Sequence, residues 1–485
     1  MKKILAIALM LIICASAFVG CDNGRNQATT ERPTEGTVKL DPVEYDVPAE
    51  GYDGSEVTIT FSHTMNEKYR AVLDQYIAKF NEMYPNITVE HSQVGGYDEV
   101  RDQIKQELTA GNQPNIAYCY PDHVALYNVA KAVVPLNSFI NSTIKVTDAL
   151  GNETVLGLTE EQINDFIPGY YAEGAVFDNA GTMYTLPMSK STEVLYYNKT
   201  YFEANNLTVP TTWDEMEVLC KTILEKEGKE NCIPLGYDSE ANWFITMCEQ
   251  YNSPYTSAVK GQYYLFNNDQ NKAFVKEFRS WYEAGYLTTQ ELYGGYTSGL
   301  FTELVEKNSY MSIGSTGGSM HQRPAATDDG YAFEVGIAPI PQVDPANPKA
   351  ISQGPSLCIF DNPNKQEVVA SWLFVEFLTT NAEFQAAFSM ASGYNPVIKS
   401  VENVPAYANF LANADGGDHI QALAVKVAKE MSDAYFVSPA FNGSSVARDK
   451  VGVLMQYCFV TPTNDVDAML NEAFKAAIVE CNNAQ

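Results

Sequence analysis

Val57-Thr-Ile-Thr-Phe61 alternates apolar and polar residues with the period of two that marks a half-buried strand. The next apolar residues, Tyr69, Val72, Leu73, Tyr76, Ile77 and Phe80, recur at the spacing of one helix face, and Pro85 ends the run. Ile87-Thr-Val89 alternates again. After the Gly95-Gly96 turn, Tyr97, Val100, Ile104 and Leu108 mark a second helix that stops at Gly111. Strand, helix, strand, helix is the signature of a parallel α/β sheet covered by helices, and residues 115–120 supply a third strand.

Outward from this unit, helical periodicity returns over residues 213–224, 272–282, 368–377, 422–431 and 466–479, with Thr212, Asn271 and Asp465 as caps. A polar excursion over 137–165 carries no chemical motif, and no internal repeat is visible. A chain of 485 residues exceeds what one hydrophobic core organises, about 250–300 residues, so two lobes are expected.

With 45% apolar and 19% charged residues the chain is globular, and after the first twenty residues no stretch is long and apolar enough to span a bilayer. Those first residues carry Lys2 and Lys3, an apolar run over 4–17 and then Phe18-Val19-Gly20-Cys21. This resembles a lipoprotein signal, which implies loss of residues 1–20 and lipidation of Cys21. Residues 21–50, rich in Asn, Thr, Glu, Pro and Gly, read as a solvated tether behind that anchor. Without residues 1–20 the chain keeps 29 basic against 60 acidic residues, an excess that argues against nucleic acid and against adhesion to anionic lipid. Seven cysteines remain beyond Cys21, an odd number that does not form a complete disulfide framework; Cys220 with Cys232 is the most local candidate pair.

Two segments are specific: Gly181-Thr-Met-Tyr-Thr-Leu-Pro187 running on through Ser191-Thr192 and Tyr196-Tyr197-Asn198-Lys199, and Val209-Pro-Thr-Thr-Trp213-Asp-Glu215. They resemble the hallmark of family 1 extracellular solute-binding proteins, the receptors of ABC importers for sugars and related polar solutes. Further matches are Gly96-Tyr97-Asp98-Glu99, Ser309-Tyr-Met-Ser-Ile-Gly314, Gln353-Gly354-Pro-Ser356 and Ser392-Gly-Tyr394-Asn-Pro396, so the resemblance covers residues 55–485.

The resemblance implies a two-lobed α/β fold of the periplasmic-binding-protein type II, each lobe a mainly parallel sheet flanked by helices, joined by crossing hinge strands. The first lobe would take residues 51–194 and 352–391 and the second 195–351 and 392–485, with ligand held between them. Within the family, Ser191-Thr192, Tyr196-Tyr197 and Ser392-Gly-Tyr394-Asn-Pro396-Val resemble the glycerol-3-phosphate receptors, and carried over by motif the implied ligand contacts are Tyr97, Ser191, Trp243, Ser315, Gly354, Tyr394 and Arg448. The aromatic residues offer flat apolar faces, the serines donate and accept, and Gly354 admits close backbone approach. Arg448 decides between an anion and a neutral sugar, since its planar fork can hold a phosphate by two charge-assisted bonds. For Tyr97, Tyr394 and Trp243 core packing is the competing reading, and for Arg448 a surface position. Where the phosphate receptors carry an acidic residue after the third strand, this chain has Pro121 with Asp122 one position later, which leaves the exact solute open.

The implied partners are a small sugar, polyol or polyol phosphate, the permease subunits of an ABC importer, and the membrane through the lipid. The protein is expected to be a monomer on the outer face of the membrane, without cofactor, metal or catalytic residues. The five scattered histidines form no zinc motif, and no phosphate-binding loop or G-x-S-x-G is present. A glycan-binding adhesin is the alternative reading. A glycoside hydrolase would need a placed pair of carboxylates that the sequence does not single out.

Overall fold

A computed structural model describes residues 41–178, 180–303, 307–328 and 330–484. The expected signal segment, Cys21 and the tether up to residue 40 lie outside the described residues. Residues 41–50, expected to continue the tether, instead lie on the first lobe. Tyr45 stacks on Phe139 at 5.7 Å, and its hydroxyl donates to Asp361 at 2.6 Å. Tyr45 and Val47 bury apolar surface against the lobe's core, which is what holds this otherwise polar segment down.

The chain then forms β1 (Val57–His63), α1 (Glu67–Met83), β2 (Ile87–Gln93), α2 (Tyr97–Ala110), β3 (Ile116–Cys119), α3 (Pro121–Tyr127) and a short β4 (Leu186–Pro187). The excursion before β4 contains a small hairpin, Lys145–Thr147 with Glu153–Val155. The second lobe follows with β5 (Glu193–Asn198), α4 (Trp213–Glu227), β6 (Leu235–Tyr237), α5 (Glu240–Gln250), α6 (Asp269–Ala284), β7 (Leu287–Thr289), β8 (Met311–Ser315) and β9 (Val335–Pro339). β10 (Ser356–Ile359), α7 (Lys365–Thr380) and α8 (Ala382–Ser392) return to the first lobe. Finally α9 (Pro405–Ala412), α10 (Ile420–Glu430), α11 (Ser444–Val460) and α12 (Val466–Asn483) lead to the second.

The two five-stranded sheets run β2-β1-β3-β10-β4 and β9-β5-β8-β6-β7. β1 pairs in parallel with β2 and β3, as do β6 with β7 and β8. The antiparallel pairs all involve the strand that enters from the opposite lobe: β10 against β3 and β4, and β5 against β8 and β9. Strands closed by a local helix must run parallel, whereas a strand arriving from the other lobe is free of that constraint. Each sheet has its own large core, one around Phe61, Phe80, Trp372 and Phe374 and the other around Trp213, Trp243, Phe244 and Phe278.

Thr212 caps α4 through a reciprocal bond set with Glu215, and Asp465 caps α12, as their sequence positions imply. The cap of α6 is Asn268 rather than Asn271. Its carboxamide oxygen accepts from the Asn271 amide at 3.0 Å, while the Asn271 side chain is buried and donates to the carbonyls of Pro254 and Phe266. Val397 and Ile398 still pack in the first core, so the last passage, expected to enter the second lobe at 392, runs on past residue 398 before it does so. Cys119, Cys220, Cys232, Cys248, Cys358, Cys458 and Cys481 are buried and not disulfide-bonded, so Cys220 and Cys232 are not paired. Among the described residues no helix is long and apolar enough to cross a membrane.

Candidate functional site: the cleft between the lobes

The three chain passages between the lobes lie side by side. Ser191 and Gln353 exchange backbone hydrogen bonds of 2.8 Å each, and the Lys190 amide donates to Asn395 at 3.0 Å. Gly354 has φ of +94°, and a Cβ there would stand 2.6 Å from the Ser189 carbonyl oxygen and 2.7 Å from the Lys190 Cα, so only glycine fits. The Lys190 ammonium is wholly buried, ion-paired with Glu173, and donates to the Gly354 carbonyl and the Ser356 hydroxyl at 3.2 Å each. Ser352 donates to the same carboxylate at 2.5 Å. A buried charge pair tolerated this way must have its remaining donors and acceptors satisfied, and here they stitch the passages together.

The first-lobe wall is aromatic. Tyr97 opens α2 and Tyr120 follows β3, both at the carboxyl edge of parallel strands, where α/β sheets hold their ligands. Their rings stack at 4.3 Å, with Tyr118 behind Tyr97 at 5.8 Å. The Tyr97 and Tyr394 hydroxyls meet at 3.3 Å. Burial pushes the Tyr97 phenol well above its ordinary range and that of Tyr394 to about 12, so both stay protonated at neutral pH and can donate as well as accept. The ring of Tyr394 lies against Gly317, where a Cβ would come within 2.7 Å of it. The Gly317 amide in turn donates to the Ser315 hydroxyl at 3.2 Å, which ties the end of β8 into the cluster.

The second-lobe wall carries the charge. A recess is lined by Tyr120 and Asp122 from the first lobe, Gln353 from a crossing segment, and Tyr255, Ser444 and Arg448 from the second. Arg448 sits in the second turn of α11 and donates to the Asn242 carboxamide oxygen. Among the described residues no carboxylate lies within ion-pairing distance of Arg448. The Tyr255 hydroxyl is buried at this recess without a partner among the described residues, a condition that a bound hydroxylated molecule would relieve. A neighbouring recess is charged on both sides, with Asp98, Arg101 and Asp122 facing Glu240 and Asp449. Arg101 reaches across to the Ser445 hydroxyl at 3.0 Å and to Asp449 at 3.5 Å. Burial pushes the Asp449 carboxyl up to about 6 despite that guanidinium.

The structure brings Tyr97, Tyr394 and Ser315 into one cluster, sets Ser191 and Gly354 on adjoining crossing segments, and puts Arg448 in the recess. Trp243 is not among them. It is fully buried in the second core, stacked 4.7 Å from Tyr237 and tilted against Phe278 at 4.3 Å. Nearly every face of α5 is covered, so the indole turns to the sheet while Asn242, one residue earlier, meets Arg448. Sequence reasoning did not single out Tyr120, Tyr255, Gln353, Asn242 or Glu193. Tyr120 was signalled by its place after a strand and before Pro121; Tyr255, in an irregular loop, carried no signal.

Residues 75–414 match the family model of bacterial extracellular solute-binding proteins. The sn-glycerol-3-phosphate-binding periplasmic protein UgpB of Shigella flexneri is 22% identical over 382 residues, covering 74% of this chain and 79% of that protein. Among solved structures, UgpB from Mycobacterium tuberculosis in complex with glycerophosphocholine superposes with a TM-score of 0.69 at 18% identity, over 88% of this chain and 99% of that one. The GacH receptor of Streptomyces glaucescens, solved unliganded and with acarbose, gives 0.66 at 17% identity, over 88% and 97%.

Proposed function

We infer, since this chain belongs to the family of bacterial extracellular solute-binding proteins, that it captures a small hydroxylated solute bearing an anionic group and hands it to the permease of an ABC importer. Glycerol phosphates and their diesters are the solute class, in keeping with what the UgpB relatives are named for. The observation that carries this reading is Arg448, a guanidinium without a carboxylate partner among the described residues, set in a recess that both lobes line. Its fork can grip a phosphate, while the Tyr97, Tyr120 and Tyr394 cluster beside it offers ring faces and hydroxyls to a polyol backbone. Capture closes the lobes because contacts to both walls exist together only in the closed form.

A thermal-shift screen of sugars, polyols and glycerol phosphates tests this, since a bound solute raises the melting temperature by mass action. Glycerol phosphates are expected to stabilise the wild-type protein and to lose that effect in Arg448→Ala. Stabilisation by neutral sugars alone, indifferent to that substitution, would assign the cleft to an oligosaccharide such as the acarbose held by GacH. A hydrolase is not favoured beside relatives that are binding proteins.

Cys21 is the lipid-attachment site in this reading, supported by the apolar run and small residues before it. Wild-type protein is expected to incorporate labelled palmitate in growing cells and Cys21→Ser to incorporate none; label retained in that variant would rule the anchor at Cys21 out.

A further inference from the structure

We infer that Asn242 is the positioning residue of the anion site, aiming the Arg448 guanidinium into the recess while keeping it out of direct contact with a carboxylate. This rests on the recess being where the solute's anionic group sits. The Asn242 amide nitrogen donates to one oxygen of Glu193 at 2.9 Å, and the Tyr237 hydroxyl donates to the other at 2.6 Å. With a carboxyl on one side and a guanidinium on the other, the carboxamide can face only one way: nitrogen to Glu193, oxygen to Arg448. The main chain of Asn242 is fixed as well, since its amide donates to the capping Ser239 hydroxyl at 3.2 Å. Asn242, Glu193 and Tyr237 are all buried, so this arrangement does not wander.

The consequence is electrostatic. A carboxylate in direct contact with Arg448 would orient it equally well but would cancel its charge and compete with an incoming anion. A neutral amide between Glu193 and Arg448 transmits the orientation and not the neutralisation. The amide's donation to Glu193 also strengthens its oxygen as an acceptor. One guanidinium edge is thereby held while its planar fork leaves other donors for the solute.

The test is calorimetric titration of sn-glycerol 3-phosphate and of glycerophosphocholine into wild type, Asn242→Ala, Asn242→Asp, Arg448→Ala and the Asn242→Ala/Arg448→Ala double variant, with the melting temperature of each unliganded protein measured alongside. Asn242→Ala is expected to weaken phosphate binding roughly tenfold, the scale of losing a hydrogen bond to a charged group. The loss should vanish in the Arg448→Ala background, because two residues acting through one contact are not additive. Asn242→Asp, which keeps Arg448 held but neutralised, is expected to bind no better than Asn242→Ala; wild-type affinity in it would overturn the insulating role. Wild-type affinity in Asn242→Ala, with Arg448→Ala impaired, would overturn the inference and leave the anion site standing. Additive losses in the double variant would overturn it too. Equal binding by wild type and Arg448→Ala, or no phosphate binding by the wild type, would remove the anion site itself and this inference with it.

Discussion

Glu193 is 1% exposed, and burial pushes its pKa up to about 7 against the opposing pull of the Tyr237 and Asn242 donors and of Arg448, with Asp238 nearby adding to the rise. An unfolded glutamate titrates near about 4.3, so over the interval between, the folded protein binds the extra proton. The stability from this group is full below the lower value, falls as pH rises toward the upper one, and is flat beyond. Calorimetric melting between pH 5 and 8 is expected to give the wild type a more negative slope of stability against pH than Glu193→Gln, with buried His63, lowered to about 3, pulling the other way in both proteins. Glu376, partly buried beside Gln162 and also pushed up to about 7, keeps part of the slope in that variant. Identical slopes in the two proteins would assign the titration elsewhere. At this scale the sequence is a partial guide. Tyr97 and Tyr394 are legible because each sits in a recognisable run beside glycine, Gly96-Tyr97 and Gly393-Tyr394. Glu193 heads the strand Glu193-Val-Leu-Tyr-Tyr and reads as an exposed strand end, because its three partners come from β6, α5 and, through Asn242, α11.

Among the elements, the amphipathic helices announce themselves because one polar face shows the period. The run at 213–224 becomes Trp213–Glu227 and the run at 466–479 becomes Val466–Asn483, each with the expected cap. α7, expected over 368–377, is buried on most faces, and so is α5, which no periodicity announced and whose buried Trp243 was expected in the cleft. β6 and β7 are three residues long, too short for alternation to show, and the hairpin within 137–165 is no longer. The mixed direction of each sheet follows from β5 and β10 arriving from the opposite lobe. That is a fact about connection, which local pattern does not carry.

At the scale of the molecule, Arg101 of α2 spans the cleft mouth to Ser445 and Asp449 of α11, a contact available only while the lobes are together. With Asp449 half exposed the contact is modest, worth roughly a two- to fivefold bias toward closure on the scale of exposed ion pairs. Arg101→Ala is therefore expected to raise the radius of gyration of the unliganded protein in solution scattering and to weaken solute binding by a similar factor. An unchanged scattering profile would show that the contact does not hold the lobes. The three passages through the cleft floor bear on the same motion. Backbone pairing of Ser191 with Gln353 and of Lys190 with Asn395 leaves no slack in any one of them. Pairing of the passages with one another couples them, so that a hinge of one half against the other must bend all three together. A membrane partner that touches both halves at once would then gauge, from their angle alone, whether the receptor is loaded.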